Sequence, residues 1–387
     1  MYKIKTFNNI SEKGLSRLPE ADYDVNPGHE APDAIILRSY KLHDYPVPDS
    51  LVAVGRAGAG TNNVPVEKMS GKGIPVFNAP GANANAVKEL VIAGMLLACR
   101  NICQAWDYAS NVEGTPEQQN KAVEDGKKKY VGYELPGRTL GVVGLGAIGV
   151  YVANAAVALG MRVVGFDPTI TVKSAWRMSS EVVEMPSIDE LVRQSDFVTF
   201  HVPLLDSTRG LLNAKRIASM KDGAVVLNFA RDGIVDDEAV LKALDSGKLS
   251  AYVSDFPAPG LKGNKKVITL PHLGASTVEA EENCAIMVAD QLKDFLENGN
   301  IHNSVNFPEI KLARIGDVRL AIANENRPDM VAQISHVLGQ SSVNIHHMRN
   351  ESRGDLAYTL LDLDQRIDDD TLSQIRAIDG VLSARQI

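Results

Sequence analysis

The chain has 387 residues, enough for two or three domains of ordinary size. Apolar residues make up 44% and charged residues 23%, a globular composition that excludes a largely disordered chain. Forty basic against 48 acidic side chains leave a net charge of −8, which argues against nucleic acid as a partner, and three cysteines are too few for a disulfide framework. The longest apolar run, residues 90–99, falls well short of a bilayer span, and the first residues, MYKIKTFNNI, carry no secretory apolar core. A cytoplasmic protein with no membrane partner is expected.

Residues 1–97 read as short α/β units, with apolar runs at 4–7, 34–39, 51–56 and 74–80, each closed by Gly, Pro or polar residues. A helical pattern follows through Val87, Leu90, Val91 and Met95. From Pro136 strands and helices alternate cleanly: runs at 139–144, 162–167, 197–201, 224–229, 251–256 and 267–270 are nearly all apolar, which predicts a parallel sheet covered on both faces. Ser276 and Glu279 stand at capping-box spacing ahead of an amphipathic helix that Gly299 stops. The last 70 residues restart in β-α-β-β-α-β order, a ferredoxin-like plan. Cys99 and Cys103, one helical turn apart, and Cys284, on an apolar stripe, read as buried thiols, and no metal set is expected.

Gly144-Leu145-Gly146-Ala147-Ile148-Gly149 matches G-x-G-x-x-G between an apolar strand and a helix. Gly144 permits the turn, Gly146 lets backbone approach a pyrophosphate, and Gly149 lets helix and strand pack closely. The first helical residues, Ala147 and Ile148, offer free N–H groups to the phosphates. Asp167, 18 residues beyond Gly149, can accept from ribose hydroxyls and would repel a 2′-phosphate, favouring NAD over NADP. His201, Arg231 and His272 fall at strand C-termini, the edge where open α/β sheets bind ligands. By spacing alone, loop capping and chemistry remain open for Arg231 and His272, and His201 is left without a chemical role.

Between residues 50 and 300 the chain resembles the D-2-hydroxyacid dehydrogenases, through GRAGAGTNN (55–63), NAPGAN (78–83), GLGAIG, HVPL (201–204), NFARDGIVDDEAV (228–240) and PHLGAST (271–277). The resemblance implies a Rossmann-type NAD domain over 98–284 and a flavodoxin-like, discontinuous substrate domain over 1–97 completed by 285–305. A linker at 306–317 and an ACT regulatory domain over 318–387 would complete the chain. It implies that Arg231 binds the substrate carboxylate and that His272 exchanges the hydroxyl proton. Ala79, Val202, Pro203, Ala230, Asp255 and Gly274 would meet the cofactor, and Arg56, Gly58 and Asn83 the substrate. The expected reaction is NAD-dependent oxidation of 3-phosphoglycerate to 3-phosphohydroxypyruvate, the first step of serine synthesis. Glyoxylate or hydroxypyruvate reduction, or a non-catalytic NAD- or amino-acid-sensing role, are the alternatives.

The family usually carries a glutamate that orients the catalytic histidine; here Asp255 keeps the preceding aspartate, and Gly260 stands at the glutamate position. Without that carboxylate an imidazolium loses a favourable neighbour. In the last domain, 324–329 (NENRPD) resembles the ACT turn H-x-N-x-P-G, with Asn324 in place of histidine and Asp329 in place of glycine. Asn324, Asn326 and Asn344 are the candidate contacts for an amino-acid effector, L-serine, and a homodimer or homotetramer is expected.

Overall fold

A computed structural model describes all residues, Met1–Ile387. The chain divides into two compact units, Met1–Asn83 with Val278–Ile387, and Ala84–Thr277.

The first unit opens with a parallel sheet of β1 (Tyr2–Thr6), β2 (Tyr23–Val25), β3 (Ala34–Leu37), β4 (Ala53–Arg56) and β5 (Val76–Phe77), ordered β2-β1-β3-β4-β5. The helix Val278–Asn298 returns from far along the chain to cover it. Contact is so close that a Cβ at Gly55 would lie 2.4 Å from Val288 Cγ1, so glycine is required there by packing.

The second unit holds seven parallel strands: β6 (Thr139–Val143), β7 (Arg162–Phe166), β8 (Val183–Glu184), β9 (Phe197–Phe200), β10 (Ala224–Asn228), β11 (Leu249–Ser254) and β12 (Val267–Thr269). Their order is β12-β11-β10-β9-β6-β7-β8, the reversal at β6 being the doubly wound switch point. Residues of β6, β9 and β10 are buried throughout, as strands covered on both faces must be. The helix Ala84–Cys99 packs Val87, Val91 and Met95 against Leu140, Leu227 and Val253. For that reason the units part at 83/84, not at 97/98 as the sequence suggests, and again at 277/278 rather than 284/285.

The C-terminal segment forms an antiparallel sheet of β13 (Val318–Glu325), β14 (Ile345–Arg353), β15 (Leu356–Leu363) and β16 (Val381–Gln386), ordered β14-β15-β13-β16, with helices Met330–Gln340 and Asp369–Ala377. Its helix-covered face carries Leu320, Ile322 and Leu361; the other face sends Ala321, Ala323, Tyr358 and Leu360 into the core built on the Val278–Asn298 helix. It therefore packs as part of the first unit, where the sequence suggested a separate domain.

Two further expectations are corrected. The segment 306–317 is not a free linker: Phe307 and Ile310 are fully buried, Ile301 bridges Ile310, and Asn306 Oδ1 accepts from Val76 N at 2.9 Å. Cys99 and Cys103 do not share a helix, because Asn101 turns left-handed (φ 51°) between the Ala84–Cys99 and Ile102–Ser110 helices. All three cysteines are free thiols, and burial raises the pKa of each. No helix is long and apolar enough to cross a membrane.

Candidate active site

Because the seven strands of the second unit are parallel, their C-termini share one edge, and the loops after β6, β7, β9, β10, β11 and β12 line it. The glycine loop follows β6. Gly144 takes φ 91°, a conformation costly for a side chain, and a Cβ there would lie 2.7 Å from the His201 carbonyl. At Gly149 a Cβ would meet the Gly144 carbonyl at 1.9 Å, so the helix Ala147–Ala158 can begin only with glycine at this point. Gly146 differs: nothing lies within 4 Å of where its Cβ would be, and it and Ala147 are exposed, with Ile148 partly covered. Open space over a helix N-terminus fits a pyrophosphate.

Asp167 ends β7 beside this loop. Its Oδ2 accepts from Leu145 N at 2.8 Å and its Oδ1 from Thr169 N at 2.8 Å, so the carboxylate holds the glycine loop in register. Oδ1 also accepts from Thr169 Oγ1 at 3.2 Å, whereas Oδ2 retains a second lone pair that can meet a ribose hydroxyl. After β9, His201 Nε2 pairs with Thr199 Oγ1 at 3.0 Å while Nδ1 is buried without a partner. Burial pushes its pKa down to about 3, so the ring stays neutral and serves as packing against the loop. Val202 presses on Gly144, and the Pro203 carbonyl accepts from Thr208 Oγ1.

After β10, buried Asn228 shapes the Arg231 loop: its Nδ2 donates to the Arg231 carbonyl at 3.0 Å and its Oδ1 accepts from Ala230 N at 3.2 Å. Arg231 Nη1 donates to the Ala230 carbonyl at 2.7 Å, and no acid of the chain pairs with the guanidinium. A half-buried guanidinium with unused donors suits a carboxylate.

Asp255, directly after β11, is 1% exposed. Its carbonyl accepts from His272 N at 3.0 Å, its Oδ1 from Leu273 N at 2.7 Å and its Oδ2 from Gly274 N at 2.8 Å. Three successive amides are thus gripped by one residue, which holds His272 in a left-handed turn (φ 57°) beyond β12. Burial raises the Asp255 pKa despite these donors. Its first role in this geometry is to position the histidine loop, beyond the cofactor contact expected from sequence. Gly274 is closely packed, since a Cβ there would lie 3.2 Å from Asp255 Oδ2 and 3.4 Å from Val87. The exposed His272 ring meets the Phe256 ring, centroids 4.9 Å apart, and no carboxylate hydrogen-bonds it. Gly260 sits on a short 3-10 turn, Pro259–Leu261, where an added Cβ would meet only Leu241 Cδ1, at 3.8 Å.

Arg56, Gly58, Ala79 and Asn83 belong to the first unit, where Ala79 N donates to the Gly58 carbonyl at 3.0 Å. Arg56 ends β4, its Nε donates to the Arg38 carbonyl at 3.1 Å, and its Nη1 lies 1.8 Å from where a Gly58 Cβ would be. A side chain at Gly58 would displace the guanidinium from this position. Asn78 Nδ2 ties Ala79's neighbourhood to the Ala59 carbonyl at 2.6 Å, and Asn83 keeps a buried Oδ1 without a partner. Of the effector candidates, Asn324 is buried with its Oδ1 unpartnered, while Asn326 Nδ2 is engaged by the Gly354 carbonyl at 2.9 Å. Asn344 is exposed, its backbone N–H donating to Asp364 at 3.0 Å. Asp329 adopts φ 72°, the conformation a glycine would take without strain. Sequence reasoning missed the grip of Asp255 and the contact of the Phe256 ring, tilted 55° to that of His272, whose signal was only their adjacency to a strand end.

Residues 92–274 match the family model for the D-isomer specific 2-hydroxyacid dehydrogenase NAD binding domain. The chain is 40% identical over 277 residues to a D-3-phosphoglycerate dehydrogenase of Methanocaldococcus jannaschii, covering 70% of this chain and 50% of that protein. It is 34% identical over 347 residues to a D-3-phosphoglycerate dehydrogenase of Haemophilus influenzae, covering 87% of this chain and 81% of that one. Among solved structures, the NAD+-bound 3-phosphoglycerate dehydrogenase of Entamoeba histolytica superposes with a TM-score of 0.60 at 25% identity, over 79% of this chain and 98% of that one. The chain thus spans about half of the archaeal relative and four-fifths of the Haemophilus one. With a glycine loop, an acid after the second strand of the nucleotide fold and a positioned histidine on one sheet edge, the chain belongs to the D-isomer-specific 2-hydroxyacid dehydrogenases and binds NAD through its second unit.

Proposed function

We propose that the chain oxidises D-3-phosphoglycerate to 3-phosphohydroxypyruvate, the first step of serine synthesis. The observation that supports this best is the pairing of an acid-free guanidinium, Arg231, with a loop-held imidazole, His272, beyond β10 and β12 of one sheet. NAD, when bound, supplies the hydride acceptor. Arg231 grips the substrate carboxylate through two charge-assisted hydrogen bonds, orienting C2, and in the reverse direction polarises the adjacent keto group. His272 Nε2 or Nδ1 takes the C2-hydroxyl proton as the carbonyl forms and returns it in the reverse direction. Asp255 acts through His272 by fixing its backbone, and Gly146, Ala147, Ile148, Gly149 and Asp167 hold the dinucleotide. Arg56, made room for by Gly58, offers a second cation for the substrate phosphate.

The test follows NADH formation or loss with a panel of 2-hydroxy and 2-keto acids. Turnover of 3-phosphoglycerate or 3-phosphohydroxypyruvate is expected to exceed that of the unphosphorylated acids. Turnover confined to glyoxylate and hydroxypyruvate would transfer the chain to the reductases of the family.

We infer a homodimer or homotetramer as the working assembly. Trp106 is 71% exposed beside Leu96 and Ile102, around an apolar hollow that a second copy of the chain would cover. Light scattering should give at least twice the chain mass, reduced by Trp106→Glu. The C-terminal sheet supports an ACT module taking L-serine near Asn324 and Asn326; calorimetry with L-serine should give heat that Asn326→Ala diminishes, and absence of heat in the intact chain rejects serine as the effector.

A further inference from the structure

Outside the sheet edge described above, one cavity of about 550 Å³ lies wholly within the first unit, where β16 meets the loop before β4 and the turn before β5. Its size suits a small metabolite. The floor is polar and fixed. Tyr358 is 2% exposed, Ser383 Oγ donates to the Gly73 carbonyl at 3.1 Å, and Arg385 reaches the carbonyls of Phe295 and Leu296 while stacking over the Phe295 ring at 4.1 Å.

The rim is charged and unsatisfied. Arg376 uses only its Nε within the chain, donating to the Ala384 carbonyl at 2.9 Å, so its two terminal nitrogens remain available. Lys72 and Asp49, on the opposite wall, are exposed and paired with nothing in the chain. Two spare cations and one spare carboxylate around a pocket of this size describe a ligand with an anionic end and an ammonium group. Exposed charges of one kind would need no explanation; here both signs face one hollow, above a buried hydroxyl. We propose that this cavity binds an α-amino acid with an acidic or phosphorylated side chain, the anionic group meeting Lys72 and Arg376 and the ammonium group meeting Asp49. The site is distinct from the asparagines near β13 and from the residues proposed for catalysis. It joins the C-terminal sheet to the β1–β5 sheet, so occupancy would fasten one to the other.

Calorimetry on the full chain with L-glutamate and with O-phospho-L-serine tests this, with L-serine and inorganic phosphate as comparators. Binding of at least one acidic amino acid is expected, with affinity reduced tenfold or more by Lys72→Glu and by Arg376→Gln. Both residues are exposed, and an unchanged melting temperature verifies that the variants fold. Asp49→Asn should weaken the amino acid and leave phosphate alone unaffected. The same heat in Arg231→Ala separates this cavity from the active site. No heat with either acidic amino acid, heat that survives both Lys72→Glu and Arg376→Gln, or inorganic phosphate binding as tightly as phosphoserine would each overturn the proposal.

Discussion

Two guanidinium groups in this chain occupy opposite situations. Arg319, on β13, is fully buried and saturated: its Nε and Nη2 meet Asp362 at 2.6 and 2.9 Å, and its Nη1 meets the carbonyls of Asn298 and Leu312. Arg314 and Arg385 join it, so the last four residues of the Val278–Asn298 helix, 295 to 298, all have carbonyls capped by arginines. Those carbonyls have no partner within the helix, and cations near them also meet the negative end of its dipole. Arg231, at the edge of the parallel sheet, has one backbone acceptor and no acid. A saturated arginine holds a fold together; an arginine with spare donors is open to water or to a ligand.

That difference can be broken from either side. The largest effect is expected at the sheet edge: His272→Ala should lower kcat by roughly 10²–10⁴, the usual contribution of a general acid–base group, with stability nearly unchanged because the ring is exposed. Arg231→Ala should raise KM for the substrate acid and lower kcat without altering the melting temperature by more than a few degrees. Equal turnover in wild type and His272→Ala would remove the proton-transfer assignment. The mirror-image result is expected at Arg319. Arg319→Ala strands buried Asp362 and should cost about 3–5 kcal/mol in a urea titration, while kcat of the remaining folded protein stays close to wild type. A variant as stable as wild type would mean that Asp362 finds another partner.

The parallel sheet and its glycine loop were legible because their physics is local. Gly144 and Gly149 answer to a positive φ and a carbonyl at 1.9 Å, requirements that any strand-to-helix turn of this type imposes on sequence. The docking of the C-terminal sheet was not read, although β13 carried a hint. Its residues 318–323 are apolar at nearly every position, including both alternate faces, where a sheet with one solvated face would alternate. What covers the second face comes from residues 295 and 307, and no period in β13 names them. In the region 102–130 the helices Ile102–Ser110 and Pro116–Gly126 are short and carry no sustained period; Thr115 and Gln118 form a capping box there. Asp255 was recognised as a family aspartate, but its grip on three amides depends on the spacing of β11 and β12, which is set only once the sheet has formed.

A smaller effect separates packing from chemistry among the histidines of this edge. The unfolded chain protonates His201 near 6.5, whereas burial keeps the folded ring neutral down to about 3. Between these values the unfolded state binds more protons, so the folded state loses stability as the pH falls, by about 1.4 kcal/mol per pH unit for one group. Urea titrations at pH 7, 6 and 5 should therefore show a slope that His201→Gln removes. An unchanged slope in the variant would place the acid sensitivity elsewhere.

The smallest effect tests whether the free His272 ring needs an acid at all. Gly260 lies on an exposed turn with open space beyond 3.8 Å, so Gly260→Glu should shift stability by less than about 0.5 kcal/mol. A carboxylate delivered toward the imidazole favours its protonated form, which is the form required to reduce a keto acid. With the new carboxylate at the ring, keto-acid reduction should persist to a higher pH than in wild type, read as the alkaline limit of its kcat/KM profile. No change in that pH limit, with the variant folded, would mean that Phe256 and the amide grip of Asp255 already set the imidazole where it works, and that the chain has replaced a charge with a tilted ring contact and a held backbone.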